Sequence, residues 1–159
     1  MRAKPWLWLV CLPWLSGFTC GHPQAEGTYT WAVDTAADGG GVIRDPCHLV
    51  SNPAQLASGN LQVIGDTARI DNFTFGGYQL QMVGSFEYGI EIFTMDGSAA
   101  NVPATVSGQS CSIDMASIHF DATTDDPTHF HGGLRVFYDV PSFPACQCEA
   151  EVVFRASQP

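Results

Sequence analysis

The chain has 159 residues, with 6 lysines and arginines against 16 acidic residues, which gives a net charge of −10 at pH 7. A chain this acidic is repelled by nucleic acid and by anionic lipid, so the composition excludes both as general partners. The length fits a single domain with a substantial core once the N-terminal segment is set aside.

Residues 1–21 are predicted to be an export signal. Arg2 and Lys4 give the chain a positive start, and an apolar run follows from Trp6 to Leu15. Small and polar residues come next, which is the arrangement of a secretory signal peptide. The apolar run is too short to span a membrane. We therefore expect the protein to work outside the cytoplasm, in the periplasm, at the outer membrane or as a secreted protein.

The mature chain is expected to be more acidic than the precursor. Arg2 and Lys4 leave with the signal, so four arginines face sixteen acidic residues and the net charge becomes −12. This charge keeps an exported domain soluble and is compatible with a cationic partner. We expect residues 22–27 to form a short tether and residues 28–157 to form one β-domain.

Cys20 is a candidate site of lipidation. Leu15-Ser16-Gly17 is similar to the first three residues of a bacterial lipobox, but Phe18 stands where the lipobox has its cysteine. Cys20 comes two residues later. A lipid anchor at this cysteine and free release therefore both stay open, with cleavage after Gly21 or after Ala25.

Alternating apolar and polar residues predict an all-β domain of about eight strands. The runs with this pattern are 28–33, 61–64, 67–75, 78–82, 86–92, 111–120, 129–140 and 146–154, with shorter segments at 42–50 and 102–106. Turn residues separate them at regular spacing, which is typical of a single antiparallel β-sandwich or a flattened barrel. Pro46 and Pro103 favour sheet edges for the two shorter segments.

Two local irregularities are predicted in the middle of the chain. Ile70 and Phe73 fall out of phase, which indicates a β-bulge near Asp71-Asn72. Further on, a two-residue turn at Gly84-Ser85 would place apolar residues opposite charged ones on one sheet face. We therefore expect an odd-length connection at this point. The same pattern predicts that the core contains Phe86, Tyr88, Ile90 and Ile92.

The last strand has the cleanest alternation of the whole chain. Its predicted inward face consists of Cys146, Cys148, Ala150, Val152 and Phe154. Two cysteines on one strand face, one residue apart, are poorly placed to bond each other. We therefore expect two disulfides, one joining Cys111 to Cys146 or Cys148 and one joining Cys47 to the other, and both pairings stay open. Zinc is disfavoured because Cys-x-Cys is not the usual knuckle spacing.

One cluster could hold a metal ion: Asp125, Asp126, His129 and His131. In a strand, His129 and His131 project to the same side and could share a metal with Asp125 or Asp126. The inward phase of residues 134–140 places both histidines on the outer face. We expect any zinc affinity to be micromolar or poorer, because nothing in the sequence orients the two rings.

No established catalytic motif is present in the sequence. The chain contains no nucleophile elbow, phosphate loop, dinucleotide fingerprint or zinc-protease motif. Glu87 and Glu91 would lie about 13 Å apart on a strand, which is too wide for a glycosidase pair. We assign no catalytic residue and no cofactor, and we expect a protein that is not an enzyme.

With its signal, alternating β-domain and Cys-x-Cys near the end, the chain resembles small exported or lipoprotein-like bacterial β-domains of uncharacterised function. The resemblance extends along the whole chain and transfers no catalytic residue. It implies a cell-envelope or secreted interaction domain with an unknown protein or envelope partner, and with membrane contact only through a lipid anchor. Two alternatives stay open: a small-ligand carrier with a barrel cavity, and a secreted hydrolase without a recognisable motif.

Overall fold

The structure, a computed structural model, describes residues 24–159, so the predicted export signal and Cys20 lie outside the described residues. The described chain forms a closed antiparallel barrel of eight strands with one short additional strand. The prediction of an all-β, disulfide-stapled domain is therefore confirmed. Of the two architectures left open by the sequence, the structure shows the barrel.

The strands are β1 (Gly27–Val33), β2 (Val42–Arg44), β3 (Ala57–Ile64), β4 (Thr67–Phe75), β5 (Tyr78–Glu87), β6 (Ile92–Val106), β7 (Gln109–Asp126), β8 (His129–Asp139) and β9 (Cys148–Ser157). Two single-turn 3-10 helices, Asp38–Gly40 and Pro144–Cys146, lie in the connections. Apart from β2, consecutive strands pair with each other, and β9 returns to pair with β1. This closure removes the free edges that an open sheet would expose.

The barrel is closed by β1 and β2, which pair in succession with the same edge of β9. Between these two strands the chain leaves the sheet through a glycine-rich loop. The N–H of Val153 donates to the carbonyl of Gly41, and the carbonyl of Val153 accepts from the N–H of Asp34. The seam therefore keeps its backbone hydrogen bonds where the chain departs.

Aromatic side chains fill the interior of the barrel. The ring centroid of Trp31 lies 5.2 Å from that of Phe73 and 5.7 Å from that of Phe130, both in edge-to-face geometry. Phe130 continues the contact to Phe154 at 6.1 Å. These rings are fully buried. An eight-stranded barrel is just wide enough to be filled by side chains, and edge-to-face contacts are favourable between aromatic rings.

Most of the predicted inward faces are confirmed. The buried residues include Cys148, Ala150, Val152 and Phe154 of β9 and Leu134, Val136 and Tyr138 of β8. Cys146 just before β9 and Val140 just after β8 are buried as well. The bulge near Asp71-Asn72 is also present. The pairing of β4 with β5 shifts register between Ile70 and Phe73, and Asn72 has a φ of 53°.

The predicted connection at Gly84-Ser85 is wrong, because both residues lie inside β5. A β-carbon at Gly84 would collide with the backbone carbonyl of Thr94. The glycine therefore allows two strands to approach closely and does not form a turn. The turn lies further on, between Glu87 and Ile92, which are opposite each other. Tyr88 and Ile90 consequently project into solvent and not into the core.

The two disulfides join Cys47 to Cys148 and Cys111 to Cys146, which is one of the two pairings left open by the sequence. Their Cα–Cα distances are 6.2 and 5.9 Å, within the usual range. Both bridges lie at one end of the barrel, called here the disulfide end. Disulfides form in oxidising compartments, so the bonds are compatible with an extracytoplasmic location.

The opposite end of the barrel, where β1 begins, is called here the N-terminal end. The turns after β3, β5 and β7 lie at this end, as the antiparallel order requires. The N–H of Ala25 donates to the carbonyl of Pro127 at 2.6 Å, and the side-chain amide of Gln24 donates to the same carbonyl at 3.0 Å. The described part of the predicted tether is thus packed against the β7–β8 turn.

Candidate functional site

The predicted histidine–aspartate cluster lies at the N-terminal end, on the outer face of the β7–β8 hairpin. Thr124 is opposite Phe130 but Asp126 is opposite His129, so Asp125 is an extra residue in a β-bulge. A bulge bends its strand and re-aims the side chains beside it. Here it brings two successive carboxylates onto the side of the hairpin that carries the histidines.

Each aspartate contacts a different histidine through the Nδ1 atom of the ring. Asp126 Oδ1 lies 2.9 Å from His129 Nδ1, and Asp125 Oδ1 lies 2.7 Å from His131 Nδ1. The two imidazoles are 53% and 47% exposed. Phe130, between them in sequence, is buried in the core. Both histidines therefore lie on the outer face, as the sequence predicts.

The Asp126 carboxylate is held in its ionised form. Hydrogen bonds from His129 and from the backbone and hydroxyl of Thr128 lower the pKa of Asp126 to about 2. The Thr128 N–H donates to Asp126 Oδ1 at 2.7 Å, and the Thr128 hydroxyl donates to the same oxygen at 2.9 Å. Several donors on one carboxylate stabilise its charged form. This aspartate is thus a fixed acceptor at the turn.

The histidines and aspartates line a surface groove of about 630 Å³. Asp34, which is buried, also lines the groove, and Arg155 Nε donates to Asp34 Oδ2 at 2.9 Å. This hydrogen bond holds the pKa of Asp34 below its ordinary value. Arg155 is directly opposite His131 in the β8–β9 ladder. Three carboxylates and one guanidinium give the groove a net charge of −2 while both imidazoles are neutral.

The structure brings the four predicted metal-site residues together as two histidine–aspartate pairs. Within residues 24–159, no group of three or more histidine, cysteine, aspartate or glutamate side chains converges on one metal position. What the arrangement offers instead is two oriented imidazoles, each with a carboxylate on Nδ1.

A second histidine cluster, which the sequence analysis does not identify, lies on the outer wall of the barrel. His119 Nδ1 lies 2.8 Å from Asp96 Oδ1, and His119 Nε2 lies 3.1 Å from Asp121 Oδ2. The bond to Asp96 and then that to Asp121 raise the pKa of His119. A carboxylate only accepts hydrogen bonds, so the doubly protonated ring satisfies both contacts. The cluster joins β6 to β7 and leaves no ring nitrogen free for a ligand.

A pocket of about 440 Å³ lies at the disulfide end, between the barrel and the loop that follows Cys47. Its lining is mostly polar and includes Asn52, Gln55, Ser58, Thr74 and Tyr138. Tyr138 is buried, and burial raises the pKa of its hydroxyl above the ordinary value. The Tyr138 hydroxyl therefore stays a neutral donor at the wall of this pocket.

Three exposed apolar side chains lie at the N-terminal end and are called here the apolar rim: Ile64, Tyr88 and Ile90. Their exposed fractions are 75%, 43% and 57%. The Tyr88 hydroxyl donates to the carbonyl of Gly65 at 3.1 Å, so the β5–β6 turn rests against the β3–β4 turn. The turn is braced on its other side by the Thr124 N–H, which donates to the Glu91 carbonyl at 3.0 Å. The β5–β6 turn, which carries Tyr88 and Ile90, is therefore hydrogen-bonded on both of its sides.

The chain matches no family model, no curated protein and no solved structure. No helix within the described range, residues 24–159, is long and apolar enough to cross a membrane. Any functional assignment consequently rests on the geometry of these surfaces.

Proposed function

We propose that this protein is an exported, non-enzymatic domain that binds a partner protein through the apolar rim. The observation that carries the proposal is the exposure of Ile64, Tyr88 and Ile90 on two turns that brace each other. Scattered apolar side chains are normal on a protein surface, but several at one end of the barrel with a charged border are typical of an interaction site. Tyrosine is also among the residues that most often anchor protein interfaces.

The hydrogen bonds of the β5–β6 turn favour binding at the apolar rim. The hydrogen bonds of Tyr88 and Glu91 hold the β5–β6 turn before any partner arrives. A surface that is already ordered loses less conformational entropy on association. Less of the binding free energy is therefore lost in ordering this turn.

The charges around the apolar rim indicate the chemistry of the partner. Exposed acidic side chains border it at Asp66, Glu87 and Glu91. The described chain as a whole has four arginines against sixteen acidic residues, a net charge of −12. Complementary charges steer association and suppress wrong partners. The partner that fits is a protein surface with apolar residues flanked by lysine or arginine.

The filled interior of the barrel favours binding at the outer surface over the carrier alternative. Trp31, Phe73 and Phe130 occupy the space that a ligand would need inside the barrel. A second candidate function, small-ligand binding, is favoured only by the pocket at the disulfide end, whose 440 Å³ is within the usual size range of ligand sites. The hydrolase alternative has less support, since the buried carboxylate of Asp34 is paired with Arg155.

A partner outside the cytoplasm can be bound only if the protein is exported. The two disulfides support it, because such bonds persist in oxidising compartments. A fusion of residues 1–30 to a reporter that is active only after secretion is expected to give activity, and activity equal to a leaderless control would contradict export. Mass spectrometry of the mature N-terminus then distinguishes lipidation at Cys20 from free release.

A binding comparison tests the apolar rim. The purified mature protein and two variants would be immobilised and exposed to the exported fraction of the organism that makes the protein. We expect one protein to be retained by the native domain and by Ile43→Ser, but not by Ile64→Ser/Ile90→Ser. Ile43 is the matched control because it is 60% exposed and lies on β2. Retention should also fall as salt is raised. Equal retention by all three proteins would contradict the proposal.

A further inference from the structure

We propose that His129 and His131 bind one divalent transition-metal ion through their Nε2 atoms, with Asp125 and Asp126 orienting the rings. This assignment differs from the expectation drawn from the sequence, in which the aspartates share the metal as ligands. It does not depend on the apolar rim or on its partner.

The aspartates contact the same nitrogen in both imidazole rings. Both aspartate contacts are made to Nδ1, at 2.9 Å for His129 and 2.7 Å for His131. An ionised carboxylate only accepts, so Nδ1 carries the proton and the lone pair of the neutral ring is on Nε2. A carboxylate on one nitrogen of a histidine is the usual way in which proteins orient the other nitrogen toward a metal.

The β-bulge at Asp125 places both carboxylates beside the histidines. In a regular ladder that continues from the Thr124–Phe130 pair, Asp125 would be opposite His129 and Asp126 would point to the other face. The extra residue at Asp125 removes that alternation. Both carboxylates then reach the outer face, and each histidine receives its own carboxylate. The bulge thus supplies the orientation of both rings that the sequence alone does not indicate.

The spacing of the two histidines allows them to share one ion. His129 and His131 are two residues apart in a strand, so their Cα atoms are about 7 Å apart and their side chains share one face. Phe130 is buried between them and fixes this alternation. Two imidazoles at this spacing can reach one ion at the usual zinc–nitrogen distance of about 2.1 Å, with water in the remaining positions. Imidazole ligands suit zinc and copper, and copper(II) is bound more tightly by a given site.

The charges around the two histidines are compatible with a bound cation. Arg155 is opposite His131, and a free guanidinium there would repel a cation. The Nε atom of Arg155 donates instead to Asp34 Oδ2 at 2.9 Å, so a carboxylate compensates the charge of the guanidinium. The remaining carboxylates, Asp125 and Asp126, leave the groove negative while the imidazoles are neutral. The field of the groove therefore favours a divalent cation.

Calorimetry with zinc chloride and the purified mature protein provides the first test. We expect one zinc ion per chain with micromolar affinity, and loss of this binding in His129→Ala/His131→Ala and in either single variant. Both side chains are half exposed, so these variants should fold, which circular dichroism would verify. His119→Gln is the matched control, since both ring nitrogens of His119 are already bonded. Zinc binding that survives in the double alanine variant, or that requires His119, would overturn the proposal.

The roles of the aspartates need a separate readout. Asp125→Asn/Asp126→Asn should keep the stoichiometry and weaken zinc binding by about 10- to 100-fold, the usual effect of changing a residue that orients a ligand. In nitrogen-15 spectra of the native protein, zinc should shift the Nε2 resonances of His129 and His131 while Nδ1 stays protonated. Ligation at Nδ1, or absence of zinc binding at micromolar concentrations, would overturn the proposal.

Discussion

His119 and Asp96 are opposite each other in the β6–β7 ladder, and His119 Nδ1 lies 2.8 Å from Asp96 Oδ1. Asp121 contacts the other ring nitrogen and also accepts a hydrogen bond from the Thr94 hydroxyl at 3.0 Å. Arg135 is opposite His119 on the β8 side, where its guanidinium is engaged by Glu151 at 3.2 Å. The His119 imidazole thus joins two strands on the outer wall of the barrel.

This relationship predicts a pH dependence of stability. The folded protein raises the pKa of His119 above its ordinary value of about 6.5. A raised pKa in the folded state adds stability below the unfolded pKa, and that stability is lost as the pH rises through the folded value. We expect the native protein to lose more stability than His119→Gln as the pH increases from 5.5 to about 9. Urea unfolding at several pH values measures this difference, and parallel curves for the two proteins would contradict it.

The adjacent glycines of β8 predict opposite responses to alanine. A β-carbon at Gly132 would collide with the backbone of Asp121 and Ala122, whereas one at Gly133 would meet nothing within 4 Å. Gly132→Ala should therefore destabilise the protein by about 1–3 kcal/mol through overpacking. Gly133→Ala should be neutral or should stabilise by up to about 1 kcal/mol, because alanine restricts the unfolded chain. Urea unfolding of the two variants measures this contrast, and equal effects would show that β7 and β8 are not this close.

The two disulfides should differ in their contribution to stability. The Cys47–Cys148 bond spans 101 residues and the Cys111–Cys146 bond spans 35. In the chain-entropy treatment, the first stabilises by about 4–5 kcal/mol and the second by about 3–4 kcal/mol. Replacing Cys47 and Cys148 by alanine should thus cost more stability than replacing the other pair. Denaturant midpoints of the two double variants decide the order, and the reverse order would contradict this account.

The sequence predicts those features that depend on one strand at a time. Period-two alternation identifies the inward face of β9 from Cys148 to Phe154, and broken alternation locates the bulge at Asp71-Asn72. The alternation within one strand does not decide the disulfide pairing, because Cys146 and Cys148 both belong to the same predicted strand face. In the structure Cys146 lies instead in the 3-10 turn before β9, a position that depends on the β8–β9 connection.

The features that the sequence does not predict depend on two strands together. The buried positions of β7 change parity between Ile113 and Ala116. In the neighbouring strand β6, Asn101 lies between the residues that pair with Ile113 and Met115, and it has a φ of 55°. The two irregularities, one in each strand, place His119 on the outer face. The alternation of apolar residues in β7 alone does not predict this. The close approach of Thr94 to Gly84 is likewise a contact between strands, which is why a strand glycine is mistaken for a turn.

Site-specific photocrosslinking tests the central claim, partner binding at the apolar rim, most directly. A photoreactive phenylalanine analogue would replace Ile90 in one protein and Ile43 in another, and each would be produced and irradiated in the organism that makes the protein. Both positions are exposed, and only Ile90 belongs to the apolar rim. The account predicts one discrete crosslinked protein at Ile90, lost when Ile64 is also changed to serine, and none at Ile43. No product at Ile90, or the same product at both positions, would contradict it.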